Sequence, residues 1–389
     1  MSEFPADWTT TQLQSVAKDF VVPMRDRPKR FKGSIPWIRI EDFTGKWVSR
    51  SQSGLCVDDE IIQEMNLKVH PQGSVLCSCS ARLGVCAITE RPLITNQTFI
   101  GIVPDVTKIA PEYLYYLMCS KATQLQALSS GTTIAYLPRQ KFEEFEISIP
   151  PLPEQKKIAE ILSGIDKMIS AKSIRHEKRK TTAHLILESV LANTELRQAL
   201  LSNIALLERG KFSHRPRNDP DYYGGEYPFI QTGDIPKTGI RISEHKQTLN
   251  RKGLEVSRQF QSGTIVITIA ATIGEVGILS YPACFPDSLV GITPNTEECD
   301  PVFLHYSLRR LKDKLLQMAP QSAQSNLNLE ILGKLDVPLP PLYEQRKFAQ
   351  MICCEDERAT AEVIGIRKLH DMKAAVASDL LSGRKRVSI

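Results

Sequence analysis

A chain of 389 residues is longer than one typical core supports and points to two or more domains. Its 42% hydrophobic and 24% charged residues exclude an intrinsically disordered chain. A net charge of +5 and a pI near 8.6 permit a polyanionic partner without demanding one.

The N-terminus, Met1-Ser2-Glu3-Phe4-Pro5, is polar and acidic, which argues against a signal peptide. Residues 1–149 then open with a short Trp8/Leu13/Val16 pattern and a basic run of Arg25, Arg27, Lys29, Arg30 and Lys32. Strand-like segments follow at Pro36-Trp37-Ile38-Arg39-Ile40 before Asp42, at Gly73-Ser74-Val75-Leu76, and from Thr98 to Val103, each bounded by turn residues. Cys77, Cys79 and Cys86 lack a second Cys-x-x-Cys pair, and Cys77 and Cys79 alternate as strand residues do. They read as core thiols and not as zinc ligands. Nine cysteines, an odd number, suit a reduced cytoplasmic protein. The spacing of Tyr113, Leu114, Leu117, Leu125 and Leu128 predicts a helix over 111–129 with these residues in its core. A loop from Gly131 then leads to a strand at Glu146-Ile147-Ser148-Ile149.

The next stretch, Pro150-Pro151-Leu152-Pro153-Glu154-Gln155, returns as Pro340-Pro341-Leu342-Tyr343-Glu344-Gln345, a shift of 190 residues. Prolines cannot extend a sheet ladder, so the motif ends a strand, and Glu154 or Glu344 suits the first turn of the helix that starts there. The rest of the chain repeats in the same order. Pro228-Phe229-Ile230 before Asp234 answers Pro36-Trp37-Ile38 before Asp42, Gly263 to Val266 answers Gly73 to Leu76, and Gly84 matches Gly274. Gly101 matches Gly291, and a helix starting at Pro301 matches the one starting at Pro111. The most apolar stretch, Gly263 to Leu279, contains Glu275 and many β-branched residues, so it reads as strands and a turn and not as a membrane span.

After each globular part comes a long helical pattern. Its core positions run Ile158, Leu162, Ile165, Ile169, Lys172, His176, Arg179, Ala183, Ile186, Val190, and in the second copy Phe348, Ile352, Glu355, Ala359, Glu362, Ile366, Leu369, Lys373, Val376, Leu380. One middle is cationic and the other acidic. Packed antiparallel, His176 faces Glu362, and Arg179 lies opposite Ala359 between Glu355 and Glu362. Every cation then has an acid within one layer, which parallel packing does not give. The alternative is that these polar residues point to solvent where the seam opens. A helix over 154–192 would be about 58 Å long, the scale of a spacer.

The fold class expected is therefore α/β (α+β type): two similar mixed α/β domains separated by two long helices in an antiparallel coiled coil, with a pseudo-two-fold internal repeat. The boundaries are 1–149, 150–195, 196–339 and 340–389. The chain carries no Walker loop, His-Glu-x-x-His, Gly-x-Ser-x-Gly or Gly-x-Gly-x-x-Gly after a strand. Asn218-Asp219-Pro220-Asp221-Tyr222-Tyr223 lacks the second proline of an adenine methyltransferase motif and reads as a turn. Binding is favoured over catalysis.

Candidate DNA contacts are Arg25, Arg27, Lys29, Arg30 and Lys32 in the first half. In the second they are Lys211, Arg215, Arg217, Arg241 and Lys246, with Arg209, Arg251 and Lys252 adding to the charge. Tyr136 and Arg139, and Gln324 and Asn326, lie before the last strand of each copy. There they suit base or phosphate contact, or equally a turn or helix cap. Lys172, His176, Arg179, Glu355 and Glu362 form the polar layer of the coiled coil.

The repeated Pro-Pro-Leu-x-Glu-Gln stretch, continuing as Lys156-Lys157-Ile158-Ala159 in its first copy, and the ending Leu380-Leu381-Ser382-Gly383-Arg384 resemble the specificity (S) subunit of type I restriction-modification systems over essentially the full length. The resemblance implies two target recognition domains, each reading half of a bipartite DNA site, with the helices as the ruler between them. It implies no catalysis by this chain. Two modification subunits that bind S-adenosylmethionine and methylate adenine would dock on it, and restriction subunits using ATP and Mg would complete the complex. Residues 191–195, Leu-Ala-Asn-Thr-Glu, depart from the family's Leu-Leu-Ser-Gly-Arg ending, so the first unit lacks the usual glycine stop. The alternatives are a self-sufficient DNA methyltransferase or endonuclease component, and a coiled-coil scaffold without sequence readout.

Overall fold

The computed structural model describes residues 4–23, 27–80, 83–128, 137–193, 195–235, 239–270, 272–318 and 327–388, with the backbone alone at 180, 181, 183, 193 and 360. Its contacts divide the chain into two compact units, Met1–Ser170 with Arg367–Ile389, and Ala171–Ile366. Both are mixed α/β, and each contains a stretch of both long helices.

The first unit holds a five-stranded sheet in the order Ala17–Val21, Phe99–Pro104, Val75–Ser78, Cys86–Thr89, Trp47–Val48. Its pairings are antiparallel except the last, where Trp47 pairs parallel with Ile88. The second unit repeats this order as Ala205–Arg209, Leu289–Pro294, Ile265–Thr268, Val276–Leu279, Arg241–Ile242, again with a parallel edge. The central strands are buried on both faces, which explains why they read as continuous apolar runs without alternation. A smaller sheet accompanies each large one. Ile35–Ile38 lies between Cys56–Val57 and Ile94–Thr95 in the first unit, and Tyr223–Phe229 lies between Gln247–Leu249 and Ala283–Cys284 in the second. A two-stranded ribbon closes each domain: Thr9–Gln12 pairs with Glu146–Ile149, and Arg197–Leu200 with Asp336–Leu339. Trp8, Leu13 and Val16 are all buried beside the first ribbon.

The helix expected over 111–129 is two helices, Pro111–Ser120 and Ala122–Ala127, and Leu128 is exposed instead of in the core. The break sits where the hairpin turn at Gly84 (φ +87°) meets Ala122, so closely that a Cβ on residue 84 would fall 2.1 Å from the Ala122 Cβ. The second unit breaks at the same place. Pro301–Arg310 gives way to Lys312–Met318 where Gly274 (φ +84°) abuts Lys312. The pairing of Gly84 with Gly274 in the repeat thus has a conformational cause, since both turns hold a positive φ that favours glycine, and at Gly84 a β-carbon would also collide with Ala122.

The long helices run Leu152–Asn193 and Leu342–Leu381. In the first unit Ile158, Leu162 and Ile165 share a core with Leu380 and Leu381, and Lys373 pairs with Asp166 at 2.6 Å. In the second unit Leu187 and Leu191 share a core with Phe348 and Ile352. The start of one helix meets the end of the other in both units, so the pair is antiparallel. The motif that launches each helix carries a buried glutamine. Gln155 accepts from Ala110 N (2.9 Å) and donates to the carbonyls of Lys108 (3.0 Å) and Pro150 (2.9 Å). Gln345 does the same with Asp300 N (2.9 Å), Glu298 (3.1 Å) and Pro340 (2.8 Å), each partner 190 residues on. One side chain therefore fixes the helix start to the loop that precedes the shorter helix.

Candidate nucleic-acid interface

The strands Ile35–Ile38 and Tyr223–Phe229 both run into a single 3-10 turn, Ile40–Asp42 and Thr232–Asp234. The aspartate at the end of each turn accepts from the backbone N–H just before it: Arg39 N to Asp42 Oδ2 at 2.8 Å, and Gln231 N to Asp234 Oδ2 at 2.9 Å. The return bonds, Asp42 N to Arg39 O and Asp234 N to Gln231 O, are 3.0 Å each. The aspartates that mark the repeat therefore hold the strand end rigid. The residue before the turn is Arg in one domain and Gln in the other.

Basic residues flank this strand in both domains. Arg27 is exposed and packs its guanidinium 5.5 Å from the Phe31 ring centre, and Lys29 and Lys32 are exposed with no ion pair among the described residues. Arg30 pairs with Glu64 at 2.8 Å and Glu60 at 3.4 Å, all three well exposed, so the pairs are weak and can exchange for phosphate. Arg139 is engaged by Glu143 at 2.6 Å in its own short helix and lies 3.9 Å from Asp19. Arg25, Tyr136, Gln324 and Asn326 lie outside the described residues.

In the second domain Lys211 is exposed. Arg215 donates to the carbonyls of Phe212 and His214 at 2.7 Å each, which ties its side chain back to its own loop, and it sits 3.9 Å from Asp287. Arg217 pairs with Asp287 at 2.6 Å, and its carbonyl accepts from the Tyr223 hydroxyl. The proline-containing stretch nearby forms a single 3-10 turn at Pro220–Tyr222 capped by Asp219. The Asp221 N–H, followed by His214 at 2.9 Å, holds the Asp219 carboxyl below its ordinary range. Phe212, Arg217, Asn218, Tyr223, Gln231 and Gln247 line a groove of about 580 Å³. Within this lining the Gln231 amide donates to the Gln247 carbonyl oxygen, and both side chains are exposed. An adjoining groove of about 710 Å³ carries Arg241 and Lys246 together with the acids Asp234, Glu244 and Glu275, so those two cations sit in mixed charge. Reading basic clusters alone passes over Arg39, Gln231, Gln247 and Tyr223. The repeat itself held the signal for the first two, since it sets Arg39 over Gln231 three residues before each shared aspartate.

Of the polar layer, Arg179 bridges two acids on the facing helix, bonding Glu362 at 3.2 Å and also Glu355. These two bonds raise the Arg179 pKa further. The pairing of His176 with Glu362 is not made. Glu362 Oε1 is held by Arg179, with Arg175 at 3.8 Å, and His176 Nδ1 is buried without a partner. A planar guanidinium spans both carboxylates, which a smaller imidazole one turn away cannot do. Lys172 lies along Gly365, where the lack of a side chain leaves it room. Burial pushes the Cys79 thiol up to about 11 and the Cys299 thiol up to about 12, as suits protonated core residues, and Cys77 and Cys86 are buried with them.

The family model for the type I restriction modification DNA specificity domain matches residues 5–178 and 207–353. The chain is 23% identical over 415 aligned residues to the type I restriction enzyme MjaIX specificity subunit of Methanocaldococcus jannaschii, covering 100% of this chain and 95% of that protein. It is 24% identical to the EcoBI specificity subunit of Escherichia coli, covering 82% and 73%. Among solved structures, the type I restriction-modification S subunit from M. genitalium superposes with a TM-score of 0.63 at 14% identity, covering 100% and 99% of the two chains. A chain from a study of type I complex assembly and conformational transition gives 0.60 at 18% identity, covering 99% and 100%. Both likenesses concern the fold.

Proposed function

The chain belongs to the type I restriction-modification DNA specificity family, and from that premise we propose that it is the specificity subunit of a type I restriction-modification complex, each of its domains recognising one half of a bipartite DNA target. The observation that carries this is the double match of the specificity domain, which falls on two segments that each contain one copy of the same sheet order. The chain is the recognition component and not itself an enzyme; methylation and cleavage belong to its partner subunits. It assembles with other restriction-modification subunits and with DNA.

Finer parts of the reading rest on the residues. Exposed Arg27, Lys29 and Lys32 in the first domain, and Lys211, Arg215 and Arg217 in the second, would neutralise phosphates beside the strand ends. The antiparallel helices, locked to their domains by Gln155 and Gln345, would set the spacer between half-sites and dock two modification subunits. S-adenosylmethionine, ATP and Mg would bind to those partners.

Sequencing the methylated positions in DNA from a host that carries the complex tests the reading. A bipartite site with a fixed spacer is expected, and removing one turn from a long helix should shorten that spacer or abolish assembly. Binding by the assembled complex that responds to salt but ignores sequence would favour a scaffold without readout.

A further inference from the structure

Two domains built on one framework must differ wherever they read different sequences, and the difference is most informative where the backbone is identical. The residue before the 3-10 turn meets that condition. In both domains it follows closely on a strand that pairs parallel with a short neighbour: Trp37 pairs with Ile94, and the equivalent Phe229 with Cys284. The reciprocal aspartate bonds then fix its backbone in extended geometry, with φ −124° at Arg39 and −114° at Gln231. The side chain at that point leaves a rigid strand end in the same direction relative to its own domain. The two occupants suit different bases: Arg presents two parallel N–H donors that match the O6 and N7 acceptors of guanine, and Gln presents one donor and one acceptor that match N7 and N6–H of adenine.

Each occupant also has unused hydrogen-bonding capacity. Gln231 gives one N–H to Gln247, which leaves the Gln231 carbonyl oxygen and its second N–H, with the Gln247 amide group, facing the groove. Gln247 is held by the register of its own strand, opposite Phe229. The two coupled amides share this groove with Arg217, itself paired with Asp287, and with Tyr223. In the first domain Arg39 touches Glu41 at 3.0 Å and Ser53 at 3.5 Å, both exposed groups, while its Nε–H is buried with no partner. The two terminal nitrogens that make those contacts each carry a second N–H, and these are the donors left for a base.

We propose that Arg39 and Gln231, the latter supported by Gln247, are equivalent specificity-determining residues of the two domains, Arg39 reading a guanine and the glutamine pair an adenine from the major groove. The assignment deepens the proposed function and rests on it.

The test uses the full chain assembled with its modification subunits, and duplexes in which each base pair of the target is changed one at a time. Gln231→Ala should lower discrimination at one A·T pair of one half-site by roughly 5- to 150-fold and leave the other half unchanged. Arg39→Ala should do the same at one G·C pair of the opposite half, with Lys29→Ala as a control that weakens all duplexes alike. Gln231→Glu and Arg39→Lys keep the backbone bonds to Asp234 and Asp42 and should lose the same discrimination in a folded complex. Unchanged base preferences, or a uniform loss over all duplexes, would overturn the assignment while the specificity reading stands. A wild-type complex with no base preference overturns both.

Discussion

The two domains agree at Gln155 and Gln345 and part company one residue earlier. Both glutamines are buried and make the same three bonds, because each must satisfy one backbone N–H and two carbonyls where a strand, a loop and a helix converge. Glu154 is buried as well, with Arg386 bonded to its two oxygens at 2.7 Å each and to Asp7 at 2.8 and 2.7 Å. Glu344 is only half-buried and has no ion pair among the described residues. A residue that satisfies the backbone recurs in both copies. At this position the carboxylate is buried in the copy where the fold supplies a cation, and the C-terminal segment supplies it to the first unit.

The largest effect expected is from breaking what the copies share. Gln155→Leu should leave the Ala110 N–H buried and unpaired, and Gln345→Leu the Asp300 N–H, each costing about 2–5 kcal/mol. Urea unfolding and amide exchange at those two positions measure it, and clearly unequal losses would break the equivalence of the two helix origins.

Next comes what they do not share. Arg386→Met strands Glu154 without its cation and should destabilise the first unit clearly. Arg197→Met removes only an exposed pair with Glu298 and should do little to the second. Thermal denaturation of the two variants separates these outcomes.

A third expectation concerns pH and returns the units to parity. Burial pushes His70 and His305 down to about 3, with Arg309 and Arg241 adding to the effect at His305. The unfolded chain binds protons at both as pH falls through 6.5, and the folded chain does not until about 3. Each histidine therefore supports stability fully above pH 6.5 and withdraws it between 6.5 and 3, by up to about 1.4 kcal/mol per pH unit. His70→Gln and His305→Gln should each flatten the pH dependence of stability by a similar amount.

The smallest effects lie at the surface. Lys29→Ala and Lys211→Ala should each reduce the log–log salt slope of DNA binding by about 0.9 if each lysine contacts one phosphate. Their footprints should fall on opposite half-sites. A loss spread evenly over both halves would contradict independent readers.

Much of this architecture is legible in the chain because it is written in local terms. Prolines end the strands at Ile149 and Leu339, an apolar period of 3.5 residues marks the long helices, and turn glycines at 84 and 274 recur at a constant shift. The site is less legible. Arg27 and Lys29 stand out by charge. Gln231 and Gln247, sixteen residues apart, become neighbours only through strand pairing. Arg30 and Arg217 look like free cations until the fold places Glu64 and Asp287 beside them.

The sequence by itself determined the two-fold repeat, the order of strands and helices, and the places where helices begin, since these follow from backbone preferences and hydrophobic period over a few neighbouring residues. Only the tertiary structure decided that the shorter helices break at Lys121 and Leu311, that Arg179 and not His176 holds Glu362, that Arg386 covers Glu154, and that Gln155 and Gln345 fasten the helices. Those outcomes depend on steric contact and charge pairing between residues distant in the chain, for which local pattern carries no information.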